Sequence, residues 1–110
     1  MNTRRIVAVL EKAAARIASG WTQHEYARNS DGLRTNSQDP HATSWCAEGA
    51  VMASTKSDLL RVFALDFLRR GAGIEAGSIL FWNDERGRTR RQVLAAFRRA
   101  IRLLEVQHDS

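Results

Sequence analysis

"SILFWNDERGRTRRQVLAAFRRAI", residues 78–101, carries the strongest structural signal in this chain. In its second half Val93, Leu94, Phe97, Ala100, Ile101 and, just beyond, Leu104 recur at three- and four-residue steps, the buried stripe of an amphipathic helix. Thr89 and Gln92 stand three apart, a spacing that lets each side chain satisfy the other's backbone N–H at a helix start. The opening "SILFW" is a short apolar run that suits an extended segment or a single turn. Between the two lie Trp82, Asn83 and Asp84, followed by Arg86, Arg88, Arg90 and Arg91; Arg98, Arg99 and Arg102 continue the basic series. At about 100° per residue, Arg91, Arg98 and Arg102 share a flank of the helix and Arg99 lies further round.

Further helices flank this one. Ile6, Leu10, Ala13 and Ile17 define a first amphipathic helix from about Thr3 to Ser19, ended by Gly20. "TQHE" has the capping spacing of Thr and Glu and predicts a short second helix through Tyr26 and Ala27. Residues 29–43, "NSDGLRTNSQDPHAT", lack apolar periodicity and carry Gly32 and Pro40, so they read as one long loop and the best candidate for a flexible element. "SWCAEGAVMAS" predicts a third helix in which Gly49 leaves room for a close neighbour. Ser57 caps a fourth, with Leu59, Leu60, Phe63 and Phe67 as its core stripe and Leu65 and Leu68 on the far side. A helix apolar on both sides at about 58–70 is either central or a surface for homo-oligomer formation. The expected fold is all-α: one domain over residues 1–110, a bundle of four or five helices with one long loop at about 29–43.

Composition narrows the function classes. Seventeen basic residues against twelve acidic give a net charge of +5, and all but Lys12 and Lys56 of the basic ones are arginine. An Arg-rich composition is common in GC-rich genomes, yet the planar guanidinium pairs with phosphate or carboxylate through two hydrogen bonds at once. The partners expected are therefore nucleic acid or an acidic protein surface. A single cysteine and no secretory signature suit a reducing cytoplasm, since Glu11 and Lys12 interrupt the N-terminal apolar run early. No apolar stretch approaches the roughly 20 residues of a bilayer span, so no membrane partner is expected.

The pattern W-C-x-x-G-A, then W-N-D, then R-T-x-x-Q-V-L-x-x-F-x-x-A-I resembles a family of small bacterial and phage proteins catalogued as domain of unknown function six-one-nine-seven. The residues that carry it are Trp45, Cys46, Gly49 and Ala50; Trp82, Asn83 and Asp84; and Arg88, Thr89, Val93, Leu94, Phe97, Ala100 and Ile101. The leading "GWTQHEYAR" fits as well. The resemblance implies a fold neighbourhood and no activity. Two departures matter: Gln92 stands where the family commonly has Glu, and Arg98–Arg99 where it often has Asp-Arg. The basic stripe is thus a feature of this chain.

Three chemistries compete for the candidate sites. Cys46 near a helix start could be an activated nucleophile, but its only candidate bases, His24 and His41, sit in no motif, and unpaired cysteines are among the most buried residues; packing is the favoured reading. One Cys and three scattered His, His108 in the tail among them, show no ligand spacing, so neither metal nor cofactor is expected. Trp82, Asn83, Asp84, Arg88 and Thr89 form a polar knot that could bind an anion or do acid–base chemistry. The favoured alternative is that Asn83 or Asp84 bonds loop amides, Arg88 pairs with Asp84 and Trp82 fills the core. The arginines resist explanation by local stability, because Arg90 and Arg91 oppose the macrodipole in the first turn and Arg98 and Arg102 repel each other. A solvated face is the slightly favoured reading of the cluster by itself, since exposed charge is cheap, and an anion-facing surface comes second. The function expected of the chain is a non-enzymatic binding or accessory module, with Arg86, Arg88, Arg90, Arg91, Arg98, Arg99 and Arg102 as its contact surface. A protein-docking factor and an enzyme using Cys46 or the Asn83/Asp84 knot are the alternatives.

Overall fold

The computed structural model describes residues 2–75 and 77–109, and residues 107–109 by their backbone alone. The expectation placed on His108 therefore lies outside the described side chains. Among the described residues, five helices and three short strands follow one another: α1 (Thr3–Ser19), β1 (Ala27–Asn29), β2 (Arg34–Thr35), β3 (Ala42–Trp45), α2 (Ala47–Ser54), α3 (Asp58–Gly71), α4 (Ile79–Asp84) and α5 (Arg90–Asp109). The all-α expectation is corrected to a mixed helical and sheet fold. The strands form one antiparallel sheet in the order β2-β1-β3, with Ala27 opposite both Thr35 and Trp45.

The helical frame follows the sequence periodicity. Helix α1 buries Ile6, Val9, Leu10, Ala13 and Ile17, and α5 buries Val93, Ala96, Phe97, Ala100 and Leu104, with Leu94 and Ile101 partly covered. These two helices pack on each other and α3 packs on α5. The core face of α3 differs from the expected stripe: Ala64, Phe67, Leu68 and Gly71 are buried, Leu60 and Phe63 are half-buried, and Leu59 is 66% exposed. Small residues decide the phase. A Cβ at Gly71 would lie 2.3 Å from the Ala96 carbonyl oxygen, so α3 and α5 approach backbone to backbone there.

The second predicted helix is absent: Trp21 bridges to Trp45, residues 23–26 bend, and Ala27–Asn29 is strand β1. Trp45 N–H donates to the Gly20 carbonyl at 3.0 Å and Thr22 N–H to the Trp45 carbonyl at 3.1 Å, a parallel bridge between Trp21 and Trp45. His24 has φ +73°, which no α-helix tolerates. The Thr22 hydroxyl, expected to cap, accepts instead from Arg28 Nε at 2.8 Å. Long-range pairing has overridden a local capping signal.

Residues 29–43 are correspondingly not one loop. Asn29 Oδ1 accepts from the N–H groups of Asp31 and Leu33, which shapes the β1–β2 turn and brings Gly32 into it at φ +80°. A second pair of turns follows, where Asn36 Oδ1 accepts from Gln38 N–H and Asp39 Oδ1 from His41 N–H, and delivers the chain to β3. Side-chain oxygens do the work that apolar periodicity does in a helix. Helix α2 then begins later than predicted, because Trp45 closes β3 and Cys46 is the N-cap. The ambiguous "SILFW" resolves into α4, capped by Ser78 through Phe81 N–H and running on through Asn83 and Asp84. No helix among the described residues is long and apolar enough to cross a membrane.

Candidate functional site

The polar knot is organised around Asn83, whose side chain is fully buried. Its Oδ1 accepts from Trp21 Nε1 at 2.8 Å and from Ala47 N–H at 3.0 Å. Its Nδ2 donates to the Thr22 carbonyl at 3.2 Å and to Asp84 Oδ1 at 2.9 Å. Both acceptor positions and both donor positions of the amide are thus filled, which fixes its orientation uniquely. Around it Gln23 Nε2 donates to the carbonyls of Asn83 and Glu85, and His24 N–H donates to Asp84 Oδ1 at 2.9 Å. A buried amide with no spare valence is a clamp between segments and offers no group to a ligand.

Arg88 belongs to the same clamp, with a different partner from the one expected. Its guanidinium lies 4.1 Å from the centre of the Trp82 ring, donates to the Trp82 carbonyl at 2.8 Å and pairs with Glu85 at 2.6 Å; Asp84 takes no part. Thr89 stands apart from the knot as the cap of α5: Thr89 N–H donates to Gln92 Oε1 at 3.0 Å and Gln92 N–H to Thr89 Oγ1 at 3.2 Å. The predicted reciprocal cap is therefore present. Trp45 is buried, its Nε1 donating to the Ser37 carbonyl, while Trp21 and Trp82 are half-buried against the core.

Cys46 is wholly buried and caps α2, its Sγ accepting from Gly49 N–H at 3.3 Å. Burial pushes its thiol up to about 11, helped by the nearby carboxylates of Asp84 and Glu48 and opposed by the Gly49 N–H. A thiol so protected from ionisation is a poor nucleophile at neutral pH. Among the described residues, no group of three His, Cys, Asp or Glu side chains is placed to hold a metal ion.

The arginines divide into two sets. Arg88 is spent on the clamp, Arg90 Nη1 donates to the Ala18 carbonyl at 3.3 Å, and Arg99 Nε donates to the Gly71 carbonyl at 2.6 Å. Arg91, Arg98 and Arg102 are exposed and, among the described residues, form no ion pair and no side-chain hydrogen bond; Arg86, in the turn before, is exposed as well. The three point opposite the Val93–Phe97–Ala100–Leu104 stripe, within about 40° of one another around the helix and over roughly 17 Å of its axis. The sequence places them on a flank; the structure turns that flank squarely to solvent.

The family model described as "Family of unknown function (DUF6197)" matches residues 1–103. The chain belongs to that family. No curated protein and no solved structure matches it. The motifs by which the chain resembles DUF6197 proteins meet in space: Asn83 of W-N-D holds Trp21 of "GWTQHEYAR" and the first amide of the helix that Cys46 caps. In this member of DUF6197 the motif residues thus converge on a structural clamp, and the basic face of α5 lies outside it. Sequence reasoning missed Trp21, Gln23, His24 and Ala47 as partners of the knot, because they are brought to it across some 36 to 62 positions of chain. The one available signal was "GWTQHEYAR" itself, which carried family character but was read as a helix start.

Proposed function

We propose that the protein is a non-enzymatic binding module whose partner is a polyanion, with the nucleic-acid backbone as the favoured target. The observation that supports this reading is the row Arg91, Arg98 and Arg102: exposed, without acidic partners among the described residues, and carried on a rigid helix whose own stability does not call for them. Guanidinium groups so arranged suit phosphate contact, and with no groove-reading motif the binding is expected to be indifferent to sequence. Cys46 and Asn83 lend no support to a catalytic reading, since one is a protonated buried cap and the other is saturated.

A second reading rests on its own observation. Leu103 is 41% and Val106 62% exposed on the same helix, and apolar side chains beside arginines suit an acidic protein surface better than a sugar–phosphate backbone. Fluorescence anisotropy of labelled duplex DNA and RNA over a salt series separates the two. The nucleic-acid reading expects binding that weakens with salt by about 0.9 in log K per log salt for each phosphate contact on duplex DNA, and a smaller slope for Arg91→Gln/Arg98→Gln/Arg102→Gln. Absence of binding at low salt, or an unchanged slope in the triple variant, overturns it in favour of a protein partner.

A further inference from the structure

A second basic site lies away from α5. The outer face of α1, the turns over residues 36–42 and the end of α2 enclose an open cleft of about 710 Å³, within the size range of small-molecule sites. Lys12, Arg16 and Lys56 line it, together with Asp39 and the indole of Trp45. Arg16 is the fixed member: its guanidinium stands 5.0 Å from the centre of the Trp45 ring and Nη2 donates to the Ala53 carbonyl at 3.3 Å. Two sides of the group are thereby held, while Nη1 makes no hydrogen bond among the described residues. Trp45 is itself anchored by Nε1 on the Ser37 carbonyl at 3.0 Å, so the platform under Arg16 is rigid. Lys12 and Lys56 are exposed at its lining.

We propose that this cleft binds a small molecule carrying a phosphate monoester, with Arg16 as the preorganised anchor and Lys12 and Lys56 closing on the phosphate. Charge matching selects the class. Three cations face one carboxylate, and Asp39 is committed to its own turn, its carboxylate accepting from the Thr35 hydroxyl and from His41 N–H. Two positive charges remain, which suits the charge of about −1.5 to −2 on a phosphate monoester better than a single carboxylate. The volume exceeds what a bare phosphate fills, leaving room for a small organic body. Trp45 does not supply a stacking face for it, because Arg16 already covers the ring.

The three tryptophan indole N–H resonances provide the test, since Trp45 alone lines the cleft. Inorganic phosphate and glycerol phosphate are titrated into the full chain, with glycerol and with sodium chloride at matched ionic strength as controls. The expected result is a saturable shift of the Trp45 resonance with both phosphates, tighter for glycerol phosphate, while Trp21 and Trp82 stay in place. Lys12→Met/Lys56→Met changes exposed side chains only and is expected to weaken binding roughly tenfold. Arg16→Met keeps the packing on Trp45 and is expected to abolish saturation. The Arg91→Gln/Arg98→Gln/Arg102→Gln protein is expected to bind phosphate as wild type does, whatever its behaviour toward nucleic acid. No saturable Trp45 shift, equal movement of all three indoles, unchanged affinity in the lysine double variant, or loss of the shift in the α5 triple variant would each overturn the proposal.

Discussion

The indole N–H of Trp21 donates to Asn83 Oδ1 at 2.8 Å across sixty-two positions of chain, and this bond ties the segment after α1 to the end of α4. The same oxygen takes the first N–H of α2, so one amide holds three segments that share no local sequence logic. Removing it leaves the buried Ala47 N–H and the half-buried Trp21 N–H and Thr22 carbonyl without these partners. Asn83→Ala is therefore expected to cost about 3 to 5 kcal/mol, measured by urea denaturation, with loss of fold at 37 °C a consistent extreme. Asn83→Asp keeps both acceptor bonds but sets a second carboxylate against Asp84, and is expected to be no milder.

Cys46 makes a prediction with a definite pH window. The folded protein holds the thiol proton more tightly than the unfolded chain, about 11 against 9.0. Its contribution to stability is thus complete below pH 9 and is lost as pH rises toward 11, by about 2 to 3 kcal/mol in total. Cys46→Ser is expected to flatten that alkaline loss while lowering stability at pH 7 by about 1 kcal/mol, since a hydroxyl replaces a wholly buried thiol but still caps α2. Denaturant midpoints of both proteins from pH 7 to 11 check this; parallel curves would show that Cys46 does not titrate in that range. Binding activity is expected to survive the change.

Gly49 tests the close approach that its position suggests. A Cβ there would stand 2.0 Å from the Tyr26 carbonyl oxygen, an oxygen that also accepts from Cys46 N–H at 3.2 Å. Gly49→Ala must push β1 off α2 and is expected to destabilise by about 2 kcal/mol or more, although Ala is the better helix former. A neutral thermal melt would mean that the strand yields without cost.

These cases mark how far the sequence could be read. Helices α1 and α5 were legible because their buried residues repeat within the helix itself, and Ser57 and Thr89 because a cap reaches only three residues. The sheet was not, since its strands span two to four residues, too few to show alternation, and β1 pairs with partners that turns deliver. "TQHE" failed for the same reason: Thr22, Gln23 and His24 spend their groups on Arg28 and on the end of α4 instead of on a helix start. Leu59 falls on the apolar stripe with Leu60, Phe63 and Phe67 yet is exposed, whereas Gly71 and Ala64, with little apolar surface to advertise, lie on the face of α3 that meets its neighbours. At the knot, residue types pointed to the right place and chemistry assigned them a structural task, because only the fold shows that every valence of Asn83 is filled.

The cap of α5 can be separated from its charge. Thr89→Ala removes the acceptor of Gln92 N–H and is expected to cost about 0.5 to 2 kcal/mol in denaturation without changing the salt dependence of any polyanion binding. An unchanged midpoint would place the effective start of the helix elsewhere.

The two sets of arginines on α5 are expected to respond in opposite ways. Arg99 closes the backbone approach of α3 and α5 through its 2.6 Å bond to the Gly71 carbonyl, so Arg99→Gln is expected to destabilise by about 1 to 2 kcal/mol. Arg91 sits in the first turn, where a cation opposes the macrodipole, and Arg98 and Arg102 repel one another at i,i+4. Arg91→Gln/Arg98→Gln/Arg102→Gln is therefore expected to leave the melting temperature unchanged or to raise it slightly, by a few tenths of a kcal/mol in stability. Duplex binding is expected to lose up to about 2.7 from its salt slope, three contacts at 0.9 each. Stability held while the slope falls would identify side chains kept for a partner. Lost stability in the triple variant would instead show that the exposed row supports the fold, and the polyanion reading would lose the observation on which it rests.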